Sequence, residues 1–380
     1  MSEVESGYIE VTGGQLFYEK TGRGEPIVLI HDGLIHHEVW NHQIESWADR
    51  YTLIRYDRRG YGKSPAPTEE FSNGDDLLAV FDTLGIDSAM LVGMSAGGGL
   101  AIDFALEHQN RVTRLILVGA VVSGMPYTDH FLSRGGRLTA GIYSDPDSLL
   151  NYLIDSDPYE IYQENTEARA EARALLERYP NNLDAAFSQL ARPPRRSAVA
   201  ALGEIDVPTQ VIVGEYDIPD VHAHAGAIST GIPGAERIVL KNSGHLVPLE
   251  QPAAFNEAVM TFLSGTEFFH VLRQSGVPEA VALFHEKRER TPDAVLFSEA
   301  RLNQLGYQYL LSGNTESALQ LFKINVETYP GSANVYDSYA EALLKSGDTS
   351  GAIVNYEKSL ELNPKNANAT AVLERLRGKQ

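Results

Sequence analysis

Gly93-Met94-Ser95-Ala96-Gly97 is the feature of this 380-residue chain that most limits what it can fold into. The apolar run Ala89-Met90-Leu91-Val92 leads into it, and a helical pattern, Gly98–His108, leads out. A G-x-S-x-G pattern alone is weak in a chain with 33 glycines. Between a strand and a helix it specifies a sharp turn, in which side chains two places before and after the serine would collide. Such a turn lifts Ser95 Oγ clear of the sheet and points the positive end of the next helix at it.

The surrounding chain fits that turn. Residues 27–31, 51–57, 89–93, 115–122, 210–214 and 237–240 read as strands, most of them apolar almost throughout. That texture predicts parallel strands buried on both faces, alternating with helices such as Asp75–Leu84, in a doubly wound, mostly parallel α/β sheet. Tyr8–Thr12 and Gln15–Glu19, joined by Gly13-Gly14, predict an opening hairpin. From about 124 to 204 no strand pattern occurs, and Asn165–Leu176 is strongly helical, so this stretch reads as a helical cap. Pro252–Leu263 reads as the closing helix of a domain spanning residues 1–265.

A serine hydroxyl becomes a nucleophile only when a base takes its proton, and that base needs an orienting carboxylate. Two residues follow Ser95 at the ends of predicted strands: Asp217 in Gly214-Glu215-Tyr216-Asp217, and His245 in Asn242-Ser243-Gly244-His245. Asp220 is a nearby rival for the acid. An unperturbed imidazole base would titrate near 6.5–7.

Five ordered motifs then resemble the α/β-hydrolase superfamily, in its esterase/lactonase-like branch. They are His31-Asp32-Gly33-Leu34, Asp57-Arg58-Arg59-Gly60-Tyr61-Gly62-Lys63-Ser64, the Ser95 turn, Gly214–Asp217 and Gly244-His245. The resemblance implies Ser95 as nucleophile, His245 as base and acid, and Asp217 as its partner. It implies an oxyanion hole from the Ala96 N–H and one from the His31 loop, Gly33 or Leu34. Leu34, Met94 and Met125 are expected at the substrate, with Tyr127, Tyr143, Tyr152, Tyr159 and Tyr162 in the cap as pocket or packing residues. Members of the superfamily commonly carry His-Gly where this chain has His31-Asp32, so Asp32 is expected to point away from the oxyanion. The Asp57–Ser64 segment is expected to be a structural turn. The implied activity is hydrolysis of carboxylic esters of small to medium acyl chain. Lactone or C–C bond cleavage, a perhydrolase, or an adaptor with a degenerate hydrolase domain are the alternatives.

Residues 266–380 have a different texture. Gly313 and Gly347, Ala318 and Ala352, Phe322 and Tyr356, and Pro330 and Pro364 each lie 34 residues apart. This period, with Leu305-Gly306 and Tyr339-Ala340 in the first helices, resembles the tetratricopeptide repeat. Gly276, Ala280, Phe284 and Pro292 make a weaker copy. A stack this short is expected to self-associate, most simply as a dimer, or to hold a protein partner.

Composition narrows the chemistry. There is no cysteine, which excludes disulfides, thiolate metal sites and a cysteine nucleophile. His36-His37 and His222-Ala223-His224 lack an adjacent run of carboxylates, so no metal and no cofactor is expected. A net charge of −20 disfavours nucleic acid and anionic membranes as partners. The acidic start and the lack of long apolar runs predict a cytoplasmic protein acting on a small-molecule ester.

Overall fold

Alternating apolar runs and helices fold into one eight-stranded sheet in the computed structural model, which describes residues 4–133, 146–180, 189–290, 292 and 295–377. The strands are β1 (Glu5–Val11), β2 (Gly14–Gly22), β3 (Glu25–Ile30), β4 (Tyr51–Tyr56), β5 (Ala89–Met94), β6 (Val112–Val118), β7 (Thr209–Gly214) and β8 (Glu236–Leu240). Their spatial order is β1-β2-β4-β3-β5-β6-β7-β8. β1 and β4 run antiparallel to β2, and all other pairs are parallel. From β3 the chain winds first to β4 on one side and then to β5 on the other. The crevice beyond the carboxyl ends of β3 and β5 is therefore the switch point where a site is expected.

Every residue of β5 is buried, which accounts for an apolar run without alternation. The expected strand over 115–122 is displaced: β6 ends at Val118, because Gly119 turns the chain at φ +50°. The helices of this part are α1 (Asn41–Trp47), α2 (Asn73–Thr83), α3 (Ala96–Glu107), α4 (Pro146–Asn151), α5 (Thr166–Arg178), α6 (Pro219–Gly231) and α7 (Val247–Glu250). Ser72 caps α2 by accepting from Asp75 N, and Asn165 caps α5 by accepting from Ala168 N. Val28, Ile30, Leu91, Leu115 and Val211 from the sheet pack with Phe81, Phe104 and Ile228 from helices, all essentially unexposed. Each such side chain contributes at most about 1.5–3 kcal/mol of transfer free energy.

Between β6 and β7 the described residues form helices and turns, with one isolated bridge, Phe71–Ala191. Residues 134–145 and 181–188, and with them Tyr143, lie outside the described residues.

Two compact units divide the chain, Met1–Val259 and Met260–Gln380. The boundary falls inside α8 (Pro252–Ser275), which continues past the expected end at Leu263 until Gly276 breaks it at φ +101°. The second unit is helical: α9 (Val277–Arg290), α10 (Glu299–Leu311), α11 (Thr315–Thr328), α12 (Ala333–Ser346), α13 (Thr349–Leu362) and α14 (Ala367–Arg377). From α10 to α14 each helix packs on the next. Gly313 and Gly347 follow α10 and α12 at φ +87° and +94°, and the Asn314 and Asp348 side chains cap α11 and α13. Gly306 lies flush against Phe322, where an added Cβ would stand 2.6 Å from the ring.

Candidate active site

Ser95 sits between β5 and α3 at φ 54°, ψ −117°, a backbone conformation that costs a non-glycine residue free energy. The neighbours explain how it persists. A Cβ on Gly93 would stand 2.5 Å from Gly97 O, and one on Gly97 would stand 2.4 Å from His31 O. Ser95 N donates to Val118 O at 2.8 Å, locking the turn to the end of β6. Ser95 and Ala96 are half-buried and so reachable.

His245 reaches the same place from the loop after β8. Its Nδ1 faces both Asp217 oxygens, at 2.9 and 3.0 Å, and Asp217 itself is buried after β7. The imidazole and carboxylate lie over Gly119, where an added Cβ would be 3.1 Å from each. Gly119 follows Val118, whose carbonyl holds Ser95, so the three side chains expected to act together are gathered at adjoining strand ends. Asp220 is elsewhere: its oxygens accept from Thr128 N and Oγ1, both at 2.8 Å, and it tethers the start of the cap.

The loop after β3 closes over the turn. Gly33 approaches Ala96, with an added Cβ 3.9 Å from the Ala96 Cβ, and Tyr61 O–H donates to Gly33 O at 2.9 Å. His31 is structural. Its Nδ1 donates to Asp32 O and its Nε2 accepts from Arg58 N–H, so one tautomer is fixed. Burial, helped by the Arg58 charge, holds its pKa down to about 3. Asp32 turns one oxygen into its own loop, accepting from Ile35 N at 2.8 Å. Its other oxygen is buried without a hydrogen-bond partner. Burial and then the charge of Glu160 push Asp32 up to about 6, and its charge is felt at His245. One Asp32 oxygen is thus spent on its own loop, and the other is buried.

Glu160 comes from the cap. Its carbonyl and that of Tyr159 accept from His245 N, both at 3.0 Å. Glu250 braces the loop from below, accepting from Gly244 N at 2.9 Å and Tyr162 N at 2.6 Å; burial pushes it up to about 7. Burial opposes a charge on His245, but Asp217, with Glu160 and Asp32 behind it, outweighs burial and raises the imidazole to about 9.

The structure separates the remaining candidates. Met94 is wholly buried in β5, while Leu34 and Met125 are half-buried. A cleft of about 240 Å³ beside Ala96 is lined by none of these three but by Arg58, Val121, Ser123 and Tyr127, among others. Arg58 lies in the segment expected to be a structural turn, and nothing in a turn motif says which of its arginines is turned to a cavity. Its neighbour Arg59 is spent on structure, a two-point pair with Asp76 at 2.7 and 2.8 Å. Tyr162 stacks on Tyr216 at 4.7 Å and Tyr159 packs on the core, so these cap aromatics are packed.

His36 and His37 do meet a carboxylate, Asp57, within 4.8 Å. His37 donates Nδ1–H to Asp57 at 2.7 Å, faces Glu19 at 3.6 Å, and is raised as these acids outweigh burial. Arg55 also pairs with Glu19, and His36 Nε2 meets Leu175 O at 3.1 Å. All three residues are buried, and His37 and Asp57 are hydrogen-bonded to each other, while His37 Nε2 has no hydrogen-bond partner among the described residues. His222 and His224 sit two apart on α6 and cannot share one ligand, and His224 Nδ1 accepts from Val122 N.

Comparison with known proteins matches residues 27–258 to the sequence model of the alpha/beta hydrolase family. A Bacillus subtilis protein called "uncharacterized carboxylesterase nap" is 28% identical over 68% of this chain and 86% of its own. A 2-hydroxy-6-oxononadienedioate/2-hydroxy-6-oxononatrienedioate hydrolase of Paraburkholderia phymatum is 31% identical over 68% of this chain and 95% of its own. Among solved structures, Est816, described as an N-acyl homoserine lactone degrading enzyme, is 28% identical with a TM-score of 0.55, covering 67% of this chain and all of its own.

Proposed function

The chain belongs to the alpha/beta hydrolase family, and from that premise we propose that it hydrolyses carboxylic esters through a Ser95 acyl-enzyme. The observation that carries the reading is the two-oxygen grip of Asp217 on His245 Nδ1, over Gly119, beside a serine in strained backbone. Asp217 fixes the tautomer in which Nε2 can accept a proton. Ser95 Oγ attacks the acyl carbonyl while His245 Nε2 takes its proton. The tetrahedral oxyanion is met by the N–H groups of Ala96 and Gly33, and losing one such donor costs about 3 kcal/mol in the transition state. His245 returns the proton to the leaving alcohol, breaking the C–O bond. Water, deprotonated by the same imidazole, then releases the acid and restores Ser95.

Lactones are cyclic esters and pass through the same steps, and a lactone-degrading relative supports including them. The 34-residue pattern supports a tetratricopeptide-type stack for the second unit, which we assign to self-association as a dimer in the cytoplasm. The experiment is a panel of p-nitrophenyl esters from acetyl to octanoyl, with γ- and δ-lactones, on wild type and Ser95→Ala. Wild type should turn over short to medium esters, and the folded variant should lose at least about a thousandfold. Equal turnover by both proteins would reject the mechanism.

A further inference from the structure

Two groups of charged residues lie near the Ser95 turn. Around His245 stand Asp217, Glu160 and Asp32. On the Ala96 side the cleft is lined by Arg58, Arg192 and Arg195, a concentration of positive charge in a chain of net charge −20. Two acids, Asp103 and Glu107, also line it, from α3. They lie seven and eleven residues beyond Ala96, about 10 and 16 Å along the helix. Asp103 accepts from Ser123 Oγ and is pushed up to about 6 by burial, which lessens its charge.

Arg58 is at the near end. Its Nη1 donates to Asp32 O at 3.2 Å, and its guanidinium lies 5.5 Å from the centre of the Tyr61 ring. Tyr61 in turn holds Gly33, which faces Ala96. Among the described residues no carboxylate lies within ion-pair distance of Arg58, and its buried Nε has no acceptor. This contrasts with Arg55 and Arg59, both paired to acids. A half-buried guanidinium on the wall of a cleft beside Ala96, with no acid paired to it among the described residues, has the planar donor fork that suits a carboxylate. Arg192 and Arg195 are exposed and only loosely paired, at 3.5 Å to Glu70 and 4.0 Å to Asp75, so they can add to the field.

We propose that the Ala96 cleft selects substrates bearing a free carboxylate, held by Arg58. Resting on the esterase reading, this makes the substrate class half-esters of dicarboxylic acids or lactones with a carboxylate arm.

The test compares monomethyl adipate with its uncharged isostere, methyl 5-carbamoylpentanoate, and with methyl hexanoate, by proton release. Wild type should prefer the acid to the amide by tenfold or more in kcat/KM. Arg58→Gln should lose that preference, read as the ratio of acid to amide kcat/KM within the same variant. The double variant Arg192→Gln/Arg195→Gln, which alters only exposed side chains, should reduce the preference several-fold. No preference in wild type, or an undiminished one in folded Arg58→Gln, overturns the proposal, as does an unchanged double variant if Arg58→Gln does not fold. Titration calorimetry with adipate and adipamide needs no turnover. Binding of adipate alone, weakened at least fivefold by Arg58→Gln, supports the proposal even if every ester is inert and the esterase reading fails. Equal or no binding of both ligands, with the esters inert, rejects both readings.

Discussion

His245 stands among three carboxyl groups, and that surplus of negative charge sets the pH at which it can work. As the proposed base it must be neutral, and against the opposing pull of burial Asp217, Glu160 and Asp32 raise it to about 9. On a neutral ester, kcat/KM should therefore climb with pH through a midpoint near 9 rather than the ordinary 6.5. Stability runs the other way. A raised imidazole stabilises the fold fully below its unfolded pKa, and that share is lost as pH rises through about 9. Between pH 7 and 9 activity should rise while this contribution to stability declines. A rate profile already level at pH 7.5 would contradict the arrangement. The order of Ser95, Asp217 and His245 at strand ends was legible in the sequence because the strands themselves were. The raised pKa was not, since Asp32 and Glu160 reach His245 only through the folding of distant segments.

At the scale of elements, local signals were legible where a glycine enforces them and deceptive where an apolar run outlasts its strand. Leu115–Val122 is apolar throughout, yet only the part before Gly119 stays in the sheet. Pro252–Leu263 reads as a full helix, but Gly265 does not take a positive φ and leaves it unbroken, so the helix runs twelve residues further, to Ser275, where Gly276 turns the chain. The cap was legible as an absence of strands and as one helix, expected over Asn165–Leu176 and found over Thr166–Arg178; the rest of its packing is tertiary. Helical pairing in the second unit can be tested at Gly306. Alanine would ordinarily stabilise a helix by about 1 kcal/mol over glycine. Here its methyl would meet the buried Phe322 ring at 2.6 Å. Gly306→Ala should therefore destabilise by about 1–3 kcal/mol, lowering the urea midpoint read by far-UV circular dichroism. A variant as stable as wild type would show that the Gly306–Phe322 contact is not tight.

For the whole molecule, the family match ends at residue 258, and the helical unit lies beyond it. No described helix is long and apolar enough to cross a membrane. Ser95, Asp217 and His245 all lie in the first unit, so a chain ending after Ser264 should keep ester turnover within about threefold of wild type. Light scattering should show the full chain as a dimer and the shortened chain as a monomer. A monomeric full chain would reject self-association, and a folded but inactive short chain would give the helices a part in the active site. In the proposed mechanism one serine, activated by His245 and Asp217, carries the chemistry. Intact-mass analysis after reaction with a fluorophosphonate, followed by peptide mapping, tests it most directly. One equivalent per chain is expected, all on Ser95, with labelling lost in Ser95→Ala and slowed heavily in Asp217→Asn. Label on another serine, or undiminished labelling of Ser95→Ala, would contradict it.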